Sequence, residues 1–381
     1  MSAAAVVRSP EVVVVGGGVR GTAIAYFLAR AGVRVTLVEK GFLASGASGA
    51  NAGLVNVSGK TPEHYTAFSL LSADMYPAFV KELDAEVDYQ RDGYLQVAET
   101  EAEAEQLTRH AERQSQVPGV RVEILDVRAA RSLEPALSPR LAAVSFCPQD
   151  GNVDPLKLTL AVGRAARRHG ARILHHREVT GIRLRGGRIA AVTTPEAEIP
   201  TEVVVDAAGV LVPDVARMVG VEVPILPQRG QMFQVEALPP LLRRPIQAIR
   251  QLRSGTTMVG TTNEFVGHDR TVTYEAAPRV LARACRVVPA LAGARVIRGW
   301  AGLRPMSPDG LPIYCAVPEV PGFYVAVGHS GVTLAAITGQ VFLDLVTTGR
   351  TDLPIAPYSL SRFTAADFEW MREPVKGAVR H

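Results

Sequence analysis

Residues 12–21, VVVVGGGVRG, constrain the fold more than any other stretch of this chain. A continuous β-branched run is a strand buried on both faces, as in a parallel sheet covered by helices. The run breaks into glycines and continues as VRGTAIAYFLARAG, which reads as a helix ending at Gly32, a residue suited to the left-handed closing position. VRVTLVEK (33–40) then reads as a second strand. Strand, glycine turn, helix and strand make the βαβ start of a doubly wound sheet. Within the turn, Gly16-x-Gly18-x-x-Gly21 permits close approach of a pyrophosphate to the backbone at a helix N-terminus. Glu39 closes the second strand, 18 residues after Gly21, where an acid holds ribose hydroxyls. These features together specify a dinucleotide and leave NAD and FAD both open.

The parallel-strand pattern returns twice, in VVVDAAG (203–209) and in GFYVAVGHSG (322–331), the latter running into a helix. Thr61-Pro62 predicts an N-cap and first-turn proline for a helix through about residue 86. Asp154, Pro155 and Gly170 frame another helix, Gly186-Gly187 centres a hairpin, and a further helix is expected at about 277–291. Alternating strands dominate 225–304. The expected fold is therefore α/β, with a Rossmann-like nucleotide domain made discontinuously from 1–86, 140–224 and 305–381. A second, antiparallel-sheet α+β domain is expected from 87–139 and 225–304. No internal repeat interrupts this plan.

Composition excludes several classes. Charged residues are 20% and the net charge is +4, with the basic residues scattered, so a nucleic-acid surface is not indicated. Three widely separated cysteines form no Cys-x-x-Cys pair, which argues against a metal or iron–sulfur site and against a disulfide framework. MSAAAVVRSP lacks the basic start and long apolar core of a signal peptide, and no apolar run approaches the ~18 residues of a membrane span. The default location is the cytoplasm.

The loop ASGASGANAG (44–53) favours FAD over NAD. Its hydroxyls and free amides suit a long ligand with two phosphates and a large ring. VGHSGVT ends a strand at a helix N-terminus, which is placed to stabilise negative charge on a reduced flavin. A second question concerns GWAGLRPMSPDG (299–310). Arg304 closes a buried-strand pattern just before a turn, and an arginine there needs an anion. From the residues alone a bound carboxylate and an internal partner, Asp309 or a nearby glutamate, stand equal.

Taken in order, VVVVGGGVRG…VEK, ASGASGANAGLV, CPQDGNVDPLKLT, VVVDAAG, PQRGQ, GWAGLRPMSPDGLPI and VAVGHSGVTLAAITG resemble the D-amino-acid oxidase superfamily. That group holds glycine oxidase, monomeric sarcosine oxidase and D-amino-acid dehydrogenases. The combination of RQLRSGTTMVGTTNE, WAGLRPMSPDGLPI and GHSGVTLA is most similar to the branch of opine oxidase, D-hydroxyproline dehydrogenase and hydrogen cyanide synthase type subunits. The resemblance implies Gly16, Gly18, Val19 and Gly21 at the pyrophosphate and Glu39 and Lys40 at the adenosine ribose. It puts Ser45 and Ser48 near the phosphates and Asn51, Ala52, Gly53 and Leu54 along the isoalloxazine. Val179 is expected at the adenine, Ala208 and Gly209 beside the dinucleotide, and Gly328, His329, Ser330, Gly331, Val332 and Thr333 at the pyrimidine edge. No cysteine precedes the SPD segment, so the flavin is expected to be non-covalent.

The resemblance also gives Arg304 the substrate carboxylate. The implied chemistry is oxidation of an amine C–N bond by hydride transfer to flavin N5, giving an imine that hydrolyses. His329 is a candidate acid/base with a backbone role as its alternative, and Arg250 and Met258 lie on the hairpin expected to cover the substrate. Glu264 reads as packing or a solvated face; Tyr65, His64 and Tyr274 are weaker pocket candidates. Met258 stands where sarcosine oxidases carry an oxygen-activating lysine, so the acceptor is O2 or a partner subunit, and a homo- or hetero-oligomer is expected. The rival readings are an NAD-dependent dehydrogenase and a non-catalytic or electron-transferring flavoprotein subunit of a heteromeric amine dehydrogenase.

Overall fold

A computed structural model describes residues 11–372. The segment 1–10, on which the signal-peptide reading rests, and residues 373–381 of the expected nucleotide domain lie outside the described residues. Six strands form the central sheet, in the order Ile313–Ala316, Phe323–Val327, Val203–Asp206, Val12–Val15, Val35–Val38 and Arg172–Leu174. All pairs are parallel except the edge pair of Ile313–Ala316 with Phe323–Val327.

The strand Val12–Val15 is buried along its whole length because successive side chains enter different cores. Val12 and Val14 pack among the helices Val19–Arg30, Glu63–Glu82, Pro155–Arg168 and Ala335–Thr348. Val13 and Val15 pack with Ile182, Ile189, Val192 and Ile199 of the antiparallel meander 181–200, and with the short helix Val212–Arg217. Asp154 caps the helix Pro155–Arg168 through the amides of Leu156 and Lys157, at 3.0 and 2.9 Å. Gly186 and Gly187, both at positive φ, make the hairpin turn. The helix expected after Thr61-Pro62 starts one residue later, at Glu63, because Pro62 takes the extended cap position. It ends at Glu82, four residues short of the expected limit. The helix expected at 277–291 spans Ala276–Val287, followed by a 3-10 turn from Pro289.

The second sheet is antiparallel, in the order Ile249–Gln251, Thr256–Gly260, Leu226–Ala237 and Val296–Met306. It continues through backbone bonds of Leu95 to Pro245 and Gln247 into the strands Tyr94–Ala98, Ala143–Cys147 and Glu123–Leu125. The strand Ala143–Cys147 therefore pairs with this sheet, although the expected boundary at 140 places it with the nucleotide domain. Only at Gly151–Asn152 does the chain return to Leu54–Val55. Val97, Val144, Phe233, Val235, Ile249 and Val259 make the core of this sheet with Val280, Ala284 and Val287 of the helix Ala276–Val287.

Candidate active site

Close contacts explain the glycines of the first turn. A Cβ on Gly16 would lie 2.6 Å from the Ala207 carbonyl oxygen, and one on Gly21 would strike the Gly16 carbonyl. The Glu39 carboxylate accepts from the Gly17 amide at 2.6 Å and the Gly41 amide at 2.7 Å, with Ser45 Oγ 3.4 Å away. Ser45 thus stands beside Glu39. Ser48 Oγ accepts from the Val19 amide at 2.9 Å, at the helix N-terminus. Lys40 is exposed, Val179 is buried, and Ala208 and Gly209 follow the third parallel strand beside Gly16.

Arg20, inside the glycine motif, is buried and has a function the motif does not announce. It donates from Nη1 to Gly328 O at 2.5 Å, from Nη2 to His329 O at 2.7 Å and from Nε to Tyr314 Oη at 3.2 Å. The first dinucleotide helix is thereby tied to the turn preceding the last one. The other side of that turn is gripped by Thr333 Oγ1, which accepts from the Asn56 amide at 3.1 Å and donates to Leu54 O at 3.2 Å. Ser72 donates to Thr333 O, and Tyr76 to Val332 O. The segments 44–56 and 328–334 are thus one rigid unit.

Asn51 is committed to that unit. Its Nδ2 donates to Ala47 O and Ser48 O, and its Oδ1 accepts from the Gly53 amide at 2.7 Å. Arg250 is buried and donates from Nη1 to Ala52 O at 3.1 Å and Val153 O at 2.5 Å. Burial pushes its guanidinium down to about 10. Arg250 buttresses the loop at Gly53, where a Cβ would lie 2.4 Å from its Nη1, so the structure gives this arginine a supporting position. Met258 is buried directly across the ladder from Arg250.

The long strand Val296–Met306 carries the other half of the site. Trp300 Nε1 donates to Ala50 O at 3.0 Å, and Gly302 faces Ala50 so closely that a Cβ would approach its Cβ to 2.8 Å. This docks the second sheet on the 44–56 loop. Four residues after Trp300, Arg304 lies flat over Gly230, where a Cβ would come within 2.4 Å of its Nη2. Its Nη2 donates to Thr261 Oγ1 at 2.8 Å, and its Nη1 to Thr262 O at 3.0 Å and Gln228 Oε1 at 3.4 Å. Three neutral acceptors for five donors leave Nε–H and one Nη2–H, the pair a side-on carboxylate uses. No carboxylate among the described residues pairs with Arg304. Burial alone pushes it down to about 10, with no compensating acid.

His329 is half-buried beside Ser330, with Nδ1 3.2 Å from its hydroxyl. Burial, followed by the charges of Lys60, Arg304 and Arg20, holds its imidazole well below the ordinary range, so the ring is neutral. Nothing in the sequence distinguishes Lys60 from a solvated lysine after a glycine. It is buried, and burial pushes it down to about 8 against the opposing effect of Asp150. Tyr65 is buried beside Ser330 with its hydroxyl outside hydrogen-bond geometry. His64 is exposed and lies tilted against Tyr358, while Tyr274 is 88% exposed and no part of a pocket.

A glycine cradle closed to any Cβ, an acid at the end of the second strand and two helix N-termini fit a dinucleotide. Such a frame, with an uncompensated arginine on the sheet facing it, defines a flavin-dependent oxidoreductase. The family model for FAD-dependent oxidoreductases named DAO matches residues 11–345, and the chain belongs to that family; its cofactor is FAD. The chain is 32% identical to glycine oxidase of Geobacillus kaustophilus, covering 92% of this chain and 97% of that protein. A subunit of the opine oxidase of Agrobacterium tumefaciens is 30% identical, covering 93% and 98%. Hydrogen cyanide synthase subunit HcnC of Pseudomonas protegens is 31% identical, covering 82% and 78%. The crystal structure of the Geobacillus kaustophilus glycine oxidase superposes with a TM-score of 0.88, covering 94% of this chain and all of that one.

Proposed function

We propose that this protein oxidises the C–N bond of a small amino acid or secondary amine of the glycine, sarcosine, proline or opine type. The observation that carries the proposal is Arg304, a half-buried guanidinium held by neutral oxygens, with two donors left and no acid partner among the described residues. Relatives named for glycine oxidase and opine oxidase support an amino-acid-like substrate. When bound, FAD supplies the acceptor for the two electrons that leave the substrate carbon with its hydrogen; the resulting imine then hydrolyses.

The protein's own residues bind and orient. Arg304 fixes the carboxylate by two parallel bonds, which directs the adjacent carbon. Oxidation requires the unprotonated amine. Arg304, Lys60 and Arg20 all bear on His329, and cations so gathered oppose a further positive charge on the substrate nitrogen. His329 is itself neutral for the same reasons, and the burial and cations that keep it so make its ring a weak base. Arg250 holds the loop through Nη1, which is committed to two carbonyls, and its buried Nε is left without a partner, available to a second carboxylate of the substrate.

The cofactor is expected to be held without a covalent bond, because no cysteine falls in the 299–310 segment. Electrons leave to O2 or to a partner subunit; two of the relatives are named as subunits. Among the described residues no helix is long and apolar enough to cross a membrane, and no group of His, Cys, Asp and Glu suits a metal.

The test is anaerobic titration of the yellow protein with glycine, sarcosine, D- and L-proline, D-hydroxyproline and opines. Bleaching by one of them establishes the substrate class, and admission of air then separates oxidase from dehydrogenase. A yellow protein that no amine bleaches, alone or with a candidate partner subunit, refutes the proposal.

A further inference from the structure

Behind Arg304 lies a polar network that no substrate needs to touch. The segment following Gly260 supplies two of its acceptors, the Thr261 hydroxyl and the Thr262 carbonyl. Thr262 is buried, and its hydroxyl is used twice. It accepts from the Gln231 amide at 3.0 Å and donates to Glu264 Oε2 at 2.7 Å. A hydroxyl has one hydrogen, and here Glu264 takes it.

Glu264 is fixed in turn. Its Oε2 also accepts from Gln231 Nε2 at 2.8 Å and Arg229 Nε at 3.1 Å, and its Oε1 from Arg229 Nη2 at 3.3 Å. The backbones of Arg229 and Glu264 exchange bonds of 2.7 and 3.0 Å. Arg229 is buried and anchored by Asp269 at 2.5 Å and Thr271 O at 3.1 Å. Gln231, fully buried, closes the network through Thr273.

Ion pairs in such places add little net stability, because desolvation offsets their attraction. Their strength is geometric: a bidentate guanidinium–carboxylate pair fixes orientation as well as distance. The network is arranged for that purpose. Arg229, Gly230 and Gln231 are consecutive, so the strand that carries the anchor also carries the glycine on which the Arg304 guanidinium lies. One strand thus supplies the floor beneath Arg304, and through Glu264 it holds the segment that supplies Thr261 and Thr262.

We propose that Glu264 and Arg229 are positioning residues for Arg304: acting through the Thr262 hydroxyl, they hold the carbonyl and hydroxyl that aim its two remaining donors at a carboxylate. The assignment rests on the reading of Arg304 as the substrate-carboxylate residue. It identifies the site's specificity as one for carboxylate geometry, set two residues away from the ligand.

The test uses the FAD-loaded full chain and acetate as probe, with acetamide as the uncharged control of similar shape. Binding is followed by calorimetry and by perturbation of the flavin absorption, independently of turnover. Glu264→Gln and Thr262→Val keep shape and remove, respectively, the charge and both hydroxyl bonds. Each is expected to weaken acetate binding roughly tenfold, the scale of coupling within one network, and to leave acetamide binding unchanged. With the amino acid substrate, KM should rise by a similar factor while kcat falls less. Thr262→Ser keeps the hydroxyl and should restore acetate binding toward the parent.

Wild-type acetate affinity in both Glu264→Gln and Thr262→Val overturns the positioning assignment. So does a loss shared equally by acetate and acetamide, which would mark a general structural role. Arg304→Ala distinguishes the underlying reading. If it abolishes acetate binding while the network variants do not, positioning fails and the carboxylate reading stands. If it leaves acetate binding intact, the carboxylate reading itself fails.

Discussion

Asp309 is paired with Arg362, not with Arg304. Arg362 donates from Nε to Asp309 Oδ2 at 2.7 Å and from Nη2 to Oδ1 at 3.1 Å, and Asp309 also accepts from Ser307 and the Leu311 amide. The internal partner that the sequence offered Arg304 is therefore occupied elsewhere. Among the described residues no carboxylate pairs with Arg304, which supports the proposal that its anion is a ligand.

Removing Arg304 should then abolish recognition without unfolding the protein. Arg304→Ala is expected to lower kcat/KM by the equivalent of about 2–5 kcal/mol, the cost of truncating one partner of a buried charge pair. Arg304→Lys should recover only part of this, because an ammonium provides a point charge in place of a fork. Asp309→Ala should lower the melting temperature and leave KM near its parent value. An Asp309→Ala enzyme with the KM of Arg304→Ala would contradict the pairing; steady-state kinetics beside thermal melts decide it.

Gly230 offers a test that leaves Arg304 in place. A Cβ at this position would lie 2.4 to 2.6 Å from three atoms of the Arg304 guanidinium, too close for either group to stay put. The guanidinium ends a flexible side chain, so it yields before the backbone does. Gly230→Ala should raise KM for the amino acid roughly tenfold or more, at a cost in stability of about 1–3 kcal/mol from overpacking. A variant with unchanged KM would show that the flat seat on Gly230 does not matter to recognition.

Arg20 concerns the other half of the site. Its three bonds join the first dinucleotide helix to the Gly328–His329 turn, and a Cβ on Gly331 would stand 3.1 Å from its Nη1. Arg20→Ala frees two buried carbonyls, each costing about 1–3 kcal/mol. The expected outcome is weaker FAD retention on gel filtration, with a lower melting temperature that excess FAD partly restores. Retention equal to the parent would show that the turn is held well enough by Tyr76, Ser72 and Thr333 alone.

The nucleotide half of this fold was legible because its signals are local. Val12–Val15, the glycines to Gly21 and Glu39 are near neighbours, and each glycine answers to a steric demand. Arg304 was legible as a question, since a charged residue ending an apolar strand needs an explanation. What answered it was not local: Gln228, Thr261 and Thr262 come from segments that meet only in the folded sheet. Glu264 read as a solvated face for the same reason, because Arg229 lies 35 residues away in sequence. The strand Ala143–Cys147 fell on the wrong side of the expected boundary, its alternation being the same whichever sheet receives it. Lys60 gave no signal, as burial of a lysine after a loop is set by the helix packed over it.

Lys60 makes the pH dependence specific. Its ordinary value of 10.5 falls to about 8 through burial, so the native state loses this proton earlier than the unfolded chain does. Between those values the unfolded chain binds more protons, and stability attributable to Lys60 rises with pH. At pH 7 the buried ammonium is a burden of roughly 3 kcal/mol, since each tenfold change in proton affinity is worth about 1.36 kcal/mol. His329 behaves in the same direction at lower pH: its folded value lies well below 6.5, so its contribution is lost progressively as pH falls from 6.5 toward that folded value. Lys60→Met should therefore gain in stability relative to the parent at pH 7 compared with pH 10, by up to that burden. Because Lys60 also bears on Asp150 and His329, the variant's absolute stability is not the quantity to read. Denaturant titrations of parent and variant at the two pH values supply the comparison. A stability difference independent of pH would place the Lys60 ammonium in water, and with it would go the cationic surroundings assigned to His329.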